Sequence, residues 1–141
     1  MTKINFQPNT KQVAALMDCG FRWYEQGRIR QAKRIFQGLA LLDKENVYAH
    51  GLLGAIHQKE HNFEGAIFEY TVAIRLFPKD PNLFTNRGEI YLRLGKLEEA
   101  ANDLRQAMEL DPARKHPAAN RARLLVRAVQ DSLQKSTSVR D

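Results

Sequence analysis

The sequence predicts an all-α fold: three helix-turn-helix repeats stacked in a right-handed superhelical solenoid and closed by a C-terminal capping helix. Three observations carry this expectation. Small residues recur every 34 positions, as Gly20, Gly54 and Gly88 and again as Ala32, Ala66 and Ala100. Large residues hold the same register, with Trp23, His57 and Tyr91 in one column and Phe36, Tyr70 and Leu104 in another. Pro78 and Pro112 close the second and third copies at matching points, where the first copy has Lys44 after Leu42-Asp43. So many coincident columns at one period mark an array of like units, each too small to bury its own apolar face.

Taken in order, the helices are expected near 11–26, 28–42, 46–60, 63–76, 81–94 and 97–110, each pair forming one repeat. By period the repeats span 13–46, 47–80 and 81–114, within a block at 11–112. Gly27 and Gly95 stand at the turns inside the first and third repeats, where a positive φ is often needed. His61-Asn62 fills that place in the second, and Asn tolerates the same backbone region. Pro78 and Pro81 bracket the turn between the second and third repeats, and Pro112 and Pro117 bracket the last. In the sixth helix Leu97, Ala100, Ala101, Leu104, Ala107 and Met108 form one apolar stripe. Gly88 and Ala100 are small because paired helices approach closely there, with Tyr91 and Leu104 as their large partners.

A seventh helix is expected from Pro117, a favoured first helical residue, within a capping segment at 113–135. Ala118, Ala122, Leu125, Val129 and Leu133 form its apolar face, and Arg123, Arg127 and Asp131 its solvent face. An open stack must cover its last apolar surface, and this helix is the expected cover. Residues 1–10 and 136–141 read as tails.

The 141 residues carry a net charge of +6, unevenly placed. Residues 1–112 hold 15 basic against 14 acidic side chains, whereas residues 113–141 hold 7 against 2. The excess therefore belongs to the last helix, which weakens any inference from isoelectric point to a nucleic-acid partner. No apolar run approaches the roughly 18–20 residues that cross a bilayer. The start, Met1-Thr-Lys-Ile-Asn-Phe-Gln-Pro, lacks the apolar stretch of a secretory signal. A single cysteine, Cys19, excludes an intramolecular disulfide framework. These features lead us to expect a cytoplasmic protein without membrane insertion.

The pattern G-x2-aromatic…A-x3-F…P at period 34 resembles the tetratricopeptide repeat (TPR). The resemblance implies a concave side lined by the first helix of each repeat, at positions 2, 5, 9, 12 and 13 counted from Val13, Val47 and Pro81. The candidate peptide-binding residues chosen from these are Met17, Phe21, Tyr24, Tyr48, Gly51, Ala55, Gln58, Thr85, Glu89 and Leu92. Met17, Phe21, Tyr24 and Tyr48 make the N-terminal half aromatic and apolar, while Gly51 and Ala55 leave room for an inserted side chain. Exposed aromatic concavities usually serve recognition, so an extended peptide held at a few anchor points is expected. The competing structural explanation is that Phe21 and Tyr24 simply pack as core. A carboxylate clamp of the kind that grips heat-shock protein C-termini needs Lys at position five and Asn at position nine. Met17 and Phe21 stand there, and charge-assisted contacts are lost.

Within residues 19–58 the likeness narrows. Tyr24, Gly27, Ala32, Phe36-Gln37, Leu39, Leu42-Asp43, Gly54-Ala55 and Gln58 closely resemble the chaperones of type III secretion translocator proteins, the class II chaperones. That resemblance implies a bacterial, non-catalytic chaperone that holds a translocator subunit as an extended segment in its groove, as monomer or weak homodimer. Phe21, Tyr24 and Tyr48 would line the anchors and Gln58 would supply a polar contact. A chaperone for needle subunits, a general TPR adaptor in complex assembly, and a basic nucleic-acid-binding protein are the alternatives, the last ranked lowest.

Other chemistry is thinly supported. His57 and His61 have the i, i+4 spacing of metal ligands and share a face with His50, yet His50 and His57 occupy helix-packing columns and no carboxylate or cysteine completes a set. Cys19 also sits in a packing column. No catalytic constellation, cofactor motif or small-molecule site emerges. The basic residues Arg28, Arg30, Lys33 and Arg34, with Arg114, Lys115, Arg121, Arg123 and Arg127, are read mainly as solvated helix faces.

Overall fold

A computed structural model describes residues 7–138. These form seven α-helices: α1 (Thr10–Glu25), α2 (Ile29–Leu42), α3 (Val47–Lys59), α4 (Phe63–Leu76), α5 (Pro81–Arg93), α6 (Leu97–Glu109) and α7 (Pro117–Ser138). No strand occurs among the described residues, and no helix there is long and apolar enough to cross a membrane. The helix ends fall within one or two residues of the periodicity except at α7, which runs on to Ser138 through the start of the expected tail at 136–141. The rest of that tail, and residues 1–6 of the N-terminal one, lie outside the described residues.

Local chemistry starts the helices. The Asn9 carboxamide accepts from the Gln12 amide at 2.9 Å, and the Gln12 side chain accepts in return from the Asn9 amide at 3.0 Å, a reciprocal capping box. Asn46 caps α3 through the Ala49 amide at 3.0 Å, and Asp80 caps α5 through the Asn82 amide at 2.9 Å, ahead of Pro81. In the turns inside the repeats, Gly27 and Gly95 take φ of 78° and 73°. In the second repeat His61, not Asn62, carries the left-handed conformation at φ 58°. Asn62 is needed elsewhere: its side chain accepts from the Gly65 amide at 3.1 Å and caps α4.

The chain divides into two compact units, residues 1–69 and 70–141, so the division falls inside α4. In the first unit α1 packs on α2 and α2 on α3. Its core is Ala32, Phe36, Leu39, Ala49, Leu53 and Ile56, with Val13, Leu16, Trp23 and Ile35 packed against it. A methyl group on Gly20 would stand 2.9 Å from both Ile35 Cγ2 and Phe36 Cζ, which is why α1 and α2 require glycine at their crossing.

In the second unit α7 packs on both α5 and α6. Phe84, Leu104, Ala107 and Ala122 form its core, joined by Leu92, Met108, Leu110, Leu125 and Val126. Ala118, Ala119 and Ala122 are buried, so the first half of α7 lies close on its neighbours. The α6 stripe is only partly core. Leu97 is 48% exposed and Ala101 is exposed; both line an apolar cleft of about 240 Å³ with Leu92, Val126, Val129 and Leu133.

Arg123, expected on the solvent face of α7, turns inward instead. Its guanidinium donates to the Asp111 carboxylate at 3.2 Å, to the Met108 carbonyl at 3.3 Å and to the Asp111 carbonyl. It thereby adds a side-chain donor to carbonyls at the end of α6 and in the turn after it, which also accept the Asp111 and Arg114 amides.

Candidate peptide-binding groove

The candidate residues on α1 and α3 are placed by ordinary helical spacing. Met17 and Phe21 are one turn apart on α1, and Tyr48 is the second residue of α3, in the first turn after the Asn46 cap. Together with Ala14 and Asp18 these three line an open pocket of about 280 Å³. Tyr48 is 45% exposed, while Met17 and Phe21 are half-buried. Its ring meets that of buried Phe36 edge-on, with centroids 6.5 Å apart, so the core fixes the wall of the pocket.

Tyr24 continues the aromatic row. Its ring lies 22° from the plane of Phe21 at a centroid distance of 6.5 Å, and the Lys59 ammonium sits 4.3 Å above it. Met17 and Tyr24 also pack against the first unit's core, so these side chains serve both packing and surface. Gly51, Ala55 and Gln58 are half-buried on α3, and none of them lines the pocket.

The spacing missed Asp18. It sits one turn beyond Ala14 and one turn before Phe21, which was enough to place it at the pocket rim. Arg22 pairs with it at 2.9 Å in solvent, leaving a carboxylate at the mouth of an apolar pocket.

The three candidates on α5 fare differently. Thr85 is fully buried, and its hydroxyl donates to the Ala118 carbonyl at 3.0 Å. It is therefore a packing residue beneath α7 and offers no surface to a peptide. Glu89 is half-buried and pairs with Arg121 of α7 at 3.8 Å. Leu92 lines the apolar cleft under α7. The capping helix thus engages all three.

The histidines are also engaged. His50 Nδ1 lies 2.6 Å from the Glu69 carboxylate and its Nε2 lies 2.9 Å from the Lys44 carbonyl. His57 Nδ1 lies 3.3 Å from the Asn62 amide nitrogen, and His61 packs edge-on against Phe63. Among the described residues no group of three or more His, Cys, Asp or Glu is arranged to hold a metal ion.

Two ionisable groups in the second unit depart from ordinary behaviour. The Asp103 carboxylate grips the Arg87 guanidinium through two bonds of 2.7 Å, and this holds the arginine pKa above its usual value against the opposing cost of burial. Arg87 also donates to Thr71 at 3.0 Å and stacks over Tyr91. At Asp111 desolvation pushes the carboxyl pKa upward. The amide hydrogens of His116 and Lys115, at 3.0 and 3.1 Å, and the Arg123 guanidinium together outweigh it and hold the pKa below the usual carboxylate range. Both groups hold helices together, and neither is among the residues that line the pocket.

Comparison with known proteins agrees with this architecture. The chain is 30% identical over 95 residues to the low calcium response locus protein H of Yersinia pestis, covering 67% of this chain and 56% of that protein. It is 31% identical over 86 residues to the rice U-box domain-containing protein 70, of which it spans 11%. The chain thus spans from about a tenth to about half the length of these curated relatives. Among solved structures, PcrH from Pseudomonas aeruginosa superposes with a TM-score of 0.83 at 26% identity, over 92% of this chain and 99% of that one. PcrH in complex with the chaperone binding region of PopD gives 0.84 at 26% identity, over 92% and 98%. The family model described as tetratricopeptide repeat matches residues 53–128, and with the 34-residue register and the paired helices this makes the chain a member of the tetratricopeptide repeat family.

Proposed function

We propose that this protein is a cytoplasmic, non-catalytic bacterial chaperone that holds a segment of a type III secretion translocator subunit as an extended peptide. The observation that carries the proposal is the pocket of Met17, Phe21 and Tyr48, whose aromatic row continues to Tyr24 on a frame similar to PcrH with its bound PopD region. Apolar client side chains enter the pocket, while Asp18 on its lining and Lys59 over the Tyr24 ring select the polar groups beside them. Gln58 and the small residues Gly51 and Ala55 extend the path along α3. Burying one anchor of this kind is worth roughly 1–3 kcal/mol.

The test is calorimetric titration with a translocator-derived peptide. Phe21→Ala and Tyr24→Ala are each expected to weaken binding by about 1–3 kcal/mol while the far-ultraviolet circular dichroism stays unchanged. Full affinity in both variants would remove the groove assignment. Genes for a secretion apparatus beside this one are expected on the same grounds; their absence favours a general TPR adaptor, in line with the likeness to the rice U-box protein.

A further inference from the structure

The 34-residue register exposes an unfilled place on α7. Ile56 and Ile90 stand in one column, and both are fully buried. Leu124 is the next residue of that column, yet it is 66% exposed. In the earlier copies a second helix follows the first along the chain; α7 has no such successor among the described residues. What remains is a groove of about 540 Å³ between the end of α6 and the middle of α7, with Met108, Leu124 and Val126 as its apolar side and Arg114 and Arg127 beside them. Neither arginine side chain has an acidic partner among the described residues, whereas nearby Arg123 is already committed to Asp111. The surrounding segment, residues 113–141, holds 7 basic against 2 acidic side chains.

We propose that this groove is a second docking site, separate from the peptide pocket, and that its occupant is an acidic amphipathic helix of a partner protein. The occupant lies where the second helix of a further repeat would pack, with its apolar stripe on Leu124 and Met108 and its carboxylates toward Arg114 and Arg127. The exposed apolar column favours a protein helix over a nucleic acid, since phosphate contacts need the arginines but leave Leu124 bare.

The probe is a helix-stabilised peptide of the length of α6, 13 residues, with a leucine stripe flanked by glutamates. A counterpart with lysines in place of the glutamates and a single-stranded oligonucleotide serve as competitors, all titrated by fluorescence anisotropy against the full chain. The acidic peptide is expected to bind the wild type and to shift the methyl resonances of Met108 and Leu124. Leu124→Glu and Arg127→Glu, both at exposed positions, are expected to weaken it by about tenfold or more, and Tyr24→Ala to leave it unchanged. Four outcomes overturn the proposal: no binding to the wild type, equal binding to both groove variants, a loss in Tyr24→Ala, or tighter binding of the lysine peptide or the oligonucleotide.

Discussion

The Arg87–Asp103 pair shows what one contact contributes at the scale of residues. Both side chains are mostly withdrawn from water, at 17% and 7% exposure, and two parallel bonds join α5 to α6 just beside Gly88. Removing Asp103 leaves the half-buried Arg87 guanidinium with only Thr71 and the Tyr91 ring, a cost of about 1–3 kcal/mol. Asp103→Ala is therefore expected to lower stability by about 1–3 kcal/mol, measured by urea unfolding. Asp111 offers a test in pH. Its folded pKa lies below its unfolded value, so its contribution is complete above the unfolded pKa of about 4 and fades as pH falls through the folded one. The difference in thermal midpoint between wild type and Asp111→Asn should be largest near neutrality and shrink toward zero in acid. A difference that grows on acidification would reverse the sign assigned to this group.

Among elements, the first question is why glycine is required where α1 crosses α2. A helix gains about 1 kcal/mol when an interior glycine becomes alanine. The added carbon at position 20 would press on Ile35 and Phe36 at 2.9 Å, and overpacking costs roughly 1–3 kcal/mol. The clash should win, so Gly20→Ala is expected to lose up to about 2 kcal/mol, with Gly20→Val worse. The second question concerns α7. It covers Thr85 and packs against Phe84 and Leu104, so deleting residues 113–141 should bare that apolar surface and cause aggregation in light scattering. A truncated chain as soluble and stable as the whole would remove the capping role.

At the scale of the whole chain, the apolar client pocket and the basic excess belong to different stretches of the sequence. The candidate pocket is apolar and occupies the first unit, where the charges nearly cancel; the basic excess sits at the far end of the sequence. Client binding in the pocket is accordingly expected to change little between 50 and 200 mM salt, whereas phosphate-driven binding would fall steeply. A steep salt slope for the client would move the binding surface to the arginines of α7.

The period of 34 determined the number, order and near-exact ends of helices α1 to α6, because the same columns of small and large side chains recur in each repeat. The aromatic row from Met17 to Tyr24 was legible for the same reason, as spacing along one helix sets which side chains share a face. Contacts between helices were not. Periodicity placed Thr85 with the surface residues and Arg123 in solvent, and only the packing of α7 buried the first and turned the second onto the end of α6. The choice of His61 over Asn62 for the left-handed turn likewise depended on a competing use, since Asn62 was taken as the cap of α4. A sequence shows what each side chain is able to do; the tertiary structure decides which of several unmet donors and acceptors it satisfies.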